Sequence, residues 1–405
     1  MFTLPFAHKR EKVIAIADIA SDSVGACIAI VRDGAPSSII CAERSSLTYD
    51  EKSPEQEITT ILSLIEEVGA KVTRMYSKLQ GTAGSIGFIP DPARGPVVGL
   101  RPISSVHAII HAPFATSQTA RADASYETDE LITDSVIGKL AATALGNRDQ
   151  QDKSRIFEAC VSSVELNEYR TGKPIGKRAR RVSVATLISE CEPELRAKIT
   201  DSARKGFGIQ HPILHSDIRA LLLGTDTSPS RADIHLTVDM SGNSTNCVVI
   251  HKDTAAEQMV VPEGVRTIFK RIVGNGMPEE KLSLMRMISR NACSTPACEE
   301  LNVALSRVEP ELVKIFGETF SKFVSAHRLP NHLVLIVAPD FAPWISNFFS
   351  RIDFSQFTVT ARQFDVHTLT AEDMRDSVAG NLGPKVDAWL SLGVALASSQ
   401  EQSTG

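Results

Sequence analysis

The sequence predicts an α/β protein of two duplicated lobes closed around a cleft, with a strand-helix-strand-strand module inserted into the first lobe. Two stretches carry that expectation. Ile14 to Val31 reads I-A-I-A-D-I-A-S-D-S-V-G-A-C-I-A-I-V: an apolar strand runs into Asp18, a small polar turn follows, and a second apolar strand leaves. Thr237 to Ile250, T-V-D-M-S-G-N-S-T-N-C-V-V-I, repeats the device around Asp239 in the second half of the chain. Backbone N–H groups and hydroxyls packed into such a turn form a nest for phosphate oxygens, and a carboxylate at its mouth can hold a hydrated Mg²⁺. Either turn alone also reads as the polar tip of an exposed hairpin. Two together suggest lobes facing each other across a nucleotide.

Composition narrows the class. A chain of 405 residues predicts two or more domains, and 42% apolar with 22% charged residues is ordinary for a globular protein. A net charge of −5 gives no reason to expect nucleic acid or an anionic membrane as partner. Seven cysteines (Cys27, Cys41, Cys160, Cys191, Cys247, Cys293 and Cys298) form no C-x-x-C pair and predict reduced thiols in a cytoplasmic protein. Cys293 and Cys298 have no histidine cluster nearby, which argues against zinc. No run approaches the ~20 apolar residues of a spanning helix, and Met1 to Lys12 does not read as a signal peptide.

Along the chain, Val13 to Val31 and Ser38 to Ala42 predict three strands of a meander. Ser53-Pro54-Glu55-Gln56 opens a helix with an N-cap serine and a capping-box glutamine, and Ile58, Ile61, Leu62, Ile65 and Val68 give it one apolar face. Leu79 to Gly99 reads as a surface excursion, and Val106 to His111 as a strand on which His107 and His111 are structural. A helix is expected from Thr128, a polar break over Gly146 to Ser154, strands over Ile156 to Leu166 and Arg180 to Ser189, and a helix over Glu192 to Lys205. The basic run Gly176 to Arg181 lies on a hairpin without interleaved aromatics, so a solvated hairpin or a protein partner is expected there rather than nucleic acid. Past Ala232 the expected elements are a strand over Gln258 to Pro262, a turn at Glu263-Gly264-Val265, helices over Arg266 to Val273, Pro278 to Arg290 and Glu309 to Ala326, and a buried strand over Leu333 to Ala338. A short helix over Trp344 to Phe349 and a small-residue helix over Ala388 to Ala397 follow, before a polar tail.

This order resembles the actin-like ATPase superfamily, and within it the FtsA cell-division and PilM pilus-assembly families. Asp18-Ile-Ala-Ser-Asp-Ser-Val is similar to the first phosphate turn and Asp239-Met-Ser-Gly-Asn-Ser-Thr-Asn to the second. Asn167-Glu168-Tyr169 with Pro174-Ile175-Gly176-Lys177 resembles the signature of the FtsA-type inserted module, whereas Asn246 is the pilus-type residue. The resemblance implies a first lobe over 13–121, the module over 122–208, a second lobe over 209–385, a closing helix over 386–397 and a disordered tail over 398–405. It implies ATP and Mg²⁺ as ligands, with Asp18, Ser21, Ser23, Asp239, Ser241, Gly242, Ser244, Thr245 and Gly264 around the nucleotide, and Asp18 and Asp239 holding the metal through water. It further implies a scaffold that meets protein partners through Asn167, Tyr169, Lys177 and Arg178, either a tubulin-like division protein or a pilus inner-membrane subunit, with self-association. A sugar-kinase-like phosphotransferase is the other reading of the fold, with Asp123 or Glu165 as candidate base.

Departures from the family pattern weaken the expected cradle. Ala20 and Ser241 stand where the family has glycine, Gly25 stands where a phosphate-binding lysine is common, and Val337-Ala338-Pro339-Asp340-Phe341 lacks the Gly-Gly turn of the adenine side. Efficient turnover is therefore not expected. The polar C-terminus lacks the basic amphipathic helix of FtsA, and Phe2, Leu4, Phe6 and Lys9 to Lys12 make at best a weak anchor, so the membrane is expected to be reached through a partner.

Overall fold

The computed structural model describes residues 11–49, 53–86, 89–91, 95–97, 101–146, 150–224, 234–251, 254–274, 276–290, 292–293, 295–324, 328–379 and 385–403. Phe2, Leu4, Phe6, Lys9 and Arg10 lie outside them. The chain opens with β1 (Glu11–Ile19), β2 (Ser23–Arg32), β3 (Ala35–Ser46) and α1 (Pro54–Ile86), then β4 (Ile89–Asp91), β5 (Gly95–Val97) and β6 (Ile103–Ile110). The inserted module comprises β7 (Ala115–Leu131), α2 (Asp134–Leu145), α3 (Gln150–Arg155), β8 (Ile156–Leu166), β9 (Tyr169–Arg170) and β10 (Arg178–Cys191). After it comes α4 (Pro193–Phe207), expected within a module over 122–208 but packed with α1 on the first sheet, and then β11 (Ile213–Ser216) and α5 (Asp217–Gly224). The second half holds β12 (Ile234–Met240), β13 (Thr245–His251), β14 (Thr254–Val261), α6 (Val265–Val273), α7 (Pro278–Ser289) and α8 (Pro296–Val324). It ends with β15 (His332–Val337), α9 (Ala342–Arg351), β16 (Asp365–Thr368), β17 (Val378–Ala379) and α10 (Ala388–Ser403).

The duplication is visible in the sheets. In the first, β11-β6-β1-β2-β3, with β17 beyond β3, the β1-β2-β3 meander is antiparallel and β6 and β11 add in parallel. The second, β16-β15-β12-β13-β14, has the same order and the same mixture of directions. The module is a separate sheet, β7-β10-β8-β9. Strands β1 and β2 are buried almost throughout, because helices cover both faces: α1 and α4 on one, α10 and α5 on the other. Ile61, Ile65, Val68 and Phe207 fill the first face. In the second lobe Phe316, Phe320, Phe348, Phe349 and Phe354 interlock, each stabilising by about 2–3 kcal/mol through burial.

Several expectations need correction. Residues 128–131 continue β7, because Glu130 and Leu131 pair with Ala179 and Arg178, and the helix starts only after Thr133, whose side chain caps Val136. Helix α1 runs on to Ile86, into the expected surface excursion, and α3 occupies part of the polar break. Helix α8 begins at Pro296, since Leu301, Leu305 and Val308 bury on the face shared with Leu312 and Phe316; Pro310 lies inside it. Strands β11 and β17 pair within the first sheet although they lie in the stretch 209–385 assigned to the second lobe. No disordered tail begins at Ser398: α10 continues to Ser403, with Ser398 bonded to Ser37 (2.9 Å) and Glu401 to Lys12 (2.6 Å) and Ser105 (2.8 Å). Cys293 and Cys298 form a disulfide, contrary to the expectation of reduced thiols, and Cys27, Cys41, Cys191 and Cys247 are buried free thiols.

Candidate functional site

Register brings the two signature aspartates together. Asp18 lies near the end of β1, level with Ile109 of the parallel neighbour β6. His111 therefore emerges just past the end of β6, where its N–H donates to the Ile19 carbonyl at 3.1 Å. Asp239 ends β12 in the equivalent way, beside the parallel β15.

Between the carboxylates sits His111. Its Nε2 is 2.6 Å from Asp18 Oδ1 and its Nδ1 3.4 Å from Asp239 Oδ2, and all three side chains are buried. An ionised carboxylate only accepts hydrogen bonds, so a ring with a nitrogen on each of two carboxylates is an imidazolium. Burial opposes the charge, but Asp18 and Asp239 outweigh it and hold the His111 pKa well above the usual imidazole range. The remaining oxygens are also taken. Arg44 Nη2 is 2.6 Å from Asp18 Oδ2, its Nε 2.6 Å from Asp387, and Trp389 Nε1 donates to Asp239 Oδ1 at 3.0 Å. Burial alone would raise the Asp18 carboxyl; His111 and Arg44 reverse that and hold it below the usual range. A Cβ at Gly25 would meet Arg44 Nη2 at 2.5 Å, so the glycine leaves room for the guanidinium where it lies. Asp217, accepting from Asn246 at 3.0 Å, is pushed up to about 6 by burial, His111 lowering and Asp239 raising it.

The two turns touch each other. Ala20 N–H donates to Ser23 O and Ser241 N–H to Ser244 O, both at 3.0 Å, so each turn satisfies its own first amide. Ser21 Oγ lies 3.2 Å from Ser241 Oγ and accepts from Asn243 N–H at 3.2 Å, while the Asp22 side chain packs against Gly242. A Cβ on Gly242 would lie 2.1 Å from Asp22 Cβ. Ser23 Oγ accepts from Arg44 (3.2 Å), Ser244 Oγ donates to Ala112 O (3.2 Å), and Thr245 Oγ1 to Glu263 O (2.6 Å). Gly264 heads α6 directly beneath the second turn, where a Cβ would meet Ser241 O at 2.3 Å. Across the mouth, Glu57 of α1 accepts from Arg266 (2.6 Å) and Asn243 (2.9 Å), and Tyr49 packs on Phe269. Phe341, in the stretch that follows β15, turns inward against Phe269.

A magnesium nucleotide does not fit these residues. Hydrated Mg²⁺ needs free carboxylate oxygens, and those of Asp18 and Asp239 are bonded to Arg44, His111 and Trp389. Ligand atoms of His111, Asp217 and Asp239 lie within 4.8 Å of one another, yet each side chain is already committed to a protein partner. A phosphate between the turns would displace Asp22, Ser21 and the Asn243 amide that Ser21 holds. Neither Ala20 nor Ser241 has a positive φ, so their backbones carry no strain that a glycine would relieve.

The other anticipated residues lie elsewhere. Asp123 is exposed on β7 and Glu165 faces Arg121 on β8 at 3.5 Å, so neither is a base in the cleft. Asn167 and Glu168 form the two-residue turn between β8 and β9, both with positive φ, and Asn167 Oδ1 accepts from Arg180 and Arg181 N–H at 2.9 and 3.0 Å. Tyr169 stands 80% exposed beside that turn; Lys177 bonds Thr171, and Arg178 the Asp129 carbonyl. The basic run is partly neutralised, Arg180 by Asp129 and Arg181 by Glu168. Sequence reasoning missed Asp22, Arg44, Asp217 and Trp389, and read His111 as structural; its place one residue past a strand parallel to β1 is the signal that would have found it.

No family model matches the chain, and no curated protein matches it. Among solved structures it is similar to the PilM-PilN type IV pilus biogenesis complex, with a TM-score of 0.54 at 12% identity over 95% of this chain and 98% of that one. Ethanolamine utilization protein EutJ from Carboxydothermus hydrogenoformans aligns over 98% of this chain and 91% of its own at 13% identity and a TM-score of 0.41. A Bacteroides thetaiotaomicron protein with actin-like ATPase fold aligns over 98% of this chain and 99% of its own at 6% identity and a TM-score of 0.33. With its mirrored sheets and whole-length likeness to PilM, this chain has the actin-like ATPase fold.

Proposed function

We propose that this protein is a non-catalytic scaffold of the actin-like fold that works through protein–protein contacts, in the manner of PilM, and does not turn over ATP. The observation that carries the reading is His111, bonded to both signature aspartates where a metal-bound phosphate would be needed. Neither of the two candidate bases for phosphoryl transfer lies in the cleft, since Asp123 and Glu165 belong to the module. The PilM-PilN structure supports a protein partner, and a pilus inner-membrane subunit suits the reading better than a tubulin-like division protein. The module hairpin, with exposed Tyr169 beside Lys177 and Arg178, is the docking surface we assign to that partner. None of the described helices is long and apolar enough to cross a membrane, so the membrane would be reached through the partner.

Calorimetric titration with Mg·ATP to millimolar concentration tests the first half of the reading. No saturable heat is expected; micromolar affinity or measurable phosphate release would overturn it.

A further inference from the structure

We infer that the cleft is occupied by the chain's own surrogate ligand, the Asp22 carboxylate taking the phosphate's place on the second turn and His111 the cation's place between Asp18 and Asp239. This rests on the non-catalytic reading above and adds a mechanism to it: the lobes are held together from within. The two halves of the surrogate come from one lobe and are received by the other. Asp22, from the first turn, lies against Gly242 of the second, and only a residue without Cβ admits it there. The carboxylate lies against the Gly242 backbone, where a nest would receive a phosphate oxygen; burial raises the Asp22 carboxyl, and Arg44 and Arg266 are the neighbouring cations that oppose the shift. Ser21 adds a second anchor to the same turn through Asn243 N–H and Ser241 Oγ. His111, from the end of β6, places one ring nitrogen on each aspartate, the bridging that a divalent ion performs in a two-carboxylate site. Closure in this chain is therefore constitutive, and the docking surfaces keep one arrangement whatever the nucleotide concentration.

Hydrogen exchange of the full chain, with and without Mg·ATP, tests this. In the wild type the Gly242 and Asn243 amides should be protected without nucleotide, and 5 mM Mg·ATP (about a cellular concentration, chosen to exceed weak binding) should not change them. Asp22→Ser should speed exchange at the Gly242 amide by about tenfold, through loss of the carboxylate that lies against it, and leave the amides between β12 and β13 unchanged. His111→Asn, with Asp22 intact, provides a second variant: it should loosen the Ile19–His111 end of the cleft in the same local way. Freely exchanging turn amides in the wild type, or an Asp22→Ser protein with unchanged exchange there, would overturn the inference. ATP-dependent protection of the wild type would instead overturn the non-catalytic reading, so the two failures are distinct.

Discussion

His107 and His111 lie four residues apart on β6 and its exit, both about 1% exposed, and yet their charges are driven in opposite directions. His111 is flanked by Asp18 and Asp239 and is held protonated. His107 is packed ring-on-ring against His215, Nδ1 to Nε2 at 3.1 Å, and burial together with that second ring pushes it down to about 4; Glu401, at 3.5 Å, opposes the shift without reversing it. A hydrogen bond between two imidazoles needs an acceptor nitrogen, so at least one ring of the pair is neutral. His215 passes the interaction on to Glu158 of the module at 2.7 Å, which also accepts from Arg219 and Ser216. One strand thus serves two polar centres: one closes the lobes with charge, the other joins the module to the first sheet with an uncharged histidine. The residue type does not decide its charge; the groups facing it do.

Removing His111 should break the comparison most severely. His111→Ala leaves buried carboxylates without their shared cation and should cost about 3–5 kcal/mol in urea unfolding at neutral pH. A raised base contributes stability that is complete below its unfolded pKa of about 6.5 and is lost as pH rises through its folded pKa. The gap between wild type and variant should accordingly narrow in alkali; a gap independent of pH would show that the ring acts by packing alone.

The opposite sign belongs to His107. A depressed base leaves the unfolded chain binding the extra proton, so stability is full above about pH 6.5 and falls as pH drops toward the folded value of about 4. Between pH 6.5 and 5 the loss should be roughly 2 kcal/mol, and His107→Gln should remove most of it from the pH dependence of unfolding. Equal acid sensitivity in wild type and variant would place the proton elsewhere in the network.

A smaller effect separates the two aspartates that share His111. Asp18 receives a second cation, Arg44, whereas Asp239 receives the neutral Trp389 N–H. Trp389→Phe keeps an aromatic ring beside His111, where the indole packs edge-on at 4.0 Å, but removes the N–H donor together with part of the bicycle, so it should cost about 1.5 kcal/mol. Thermal unfolding of the variant beside the wild type reads this directly; no loss would mean that water replaces the indole.

Local chemistry was legible in the sequence. The strand-turn-strand devices around Asp18 and Asp239 form β1-β2 and β12-β13, with Ala20 and Ser241 in matching turns. The Ser53–Gln56 capping box exists in both directions, at 2.9 and 3.4 Å, and the strand Ile156 to Leu166 has its expected ends. These features depend on residues a few positions apart, where hydrogen-bonding side chains and apolar period leave a readable pattern. What occupies the cleft was not legible, because the groups that meet there come from β1, β3, β6, β12 and α10, with separations such as 93 residues for Asp18–His111 and 150 for Asp239–Trp389. Gly25 illustrates the difference: in the sequence it reads as a lost lysine, in the fold as the space that lets Arg44 reach Asp18. Sequence by itself determined two lobes and the aspartates that face each other. Only the tertiary structure decided that the space between them is filled from within, because a buried charge is set by whichever partners the fold brings within hydrogen-bonding distance.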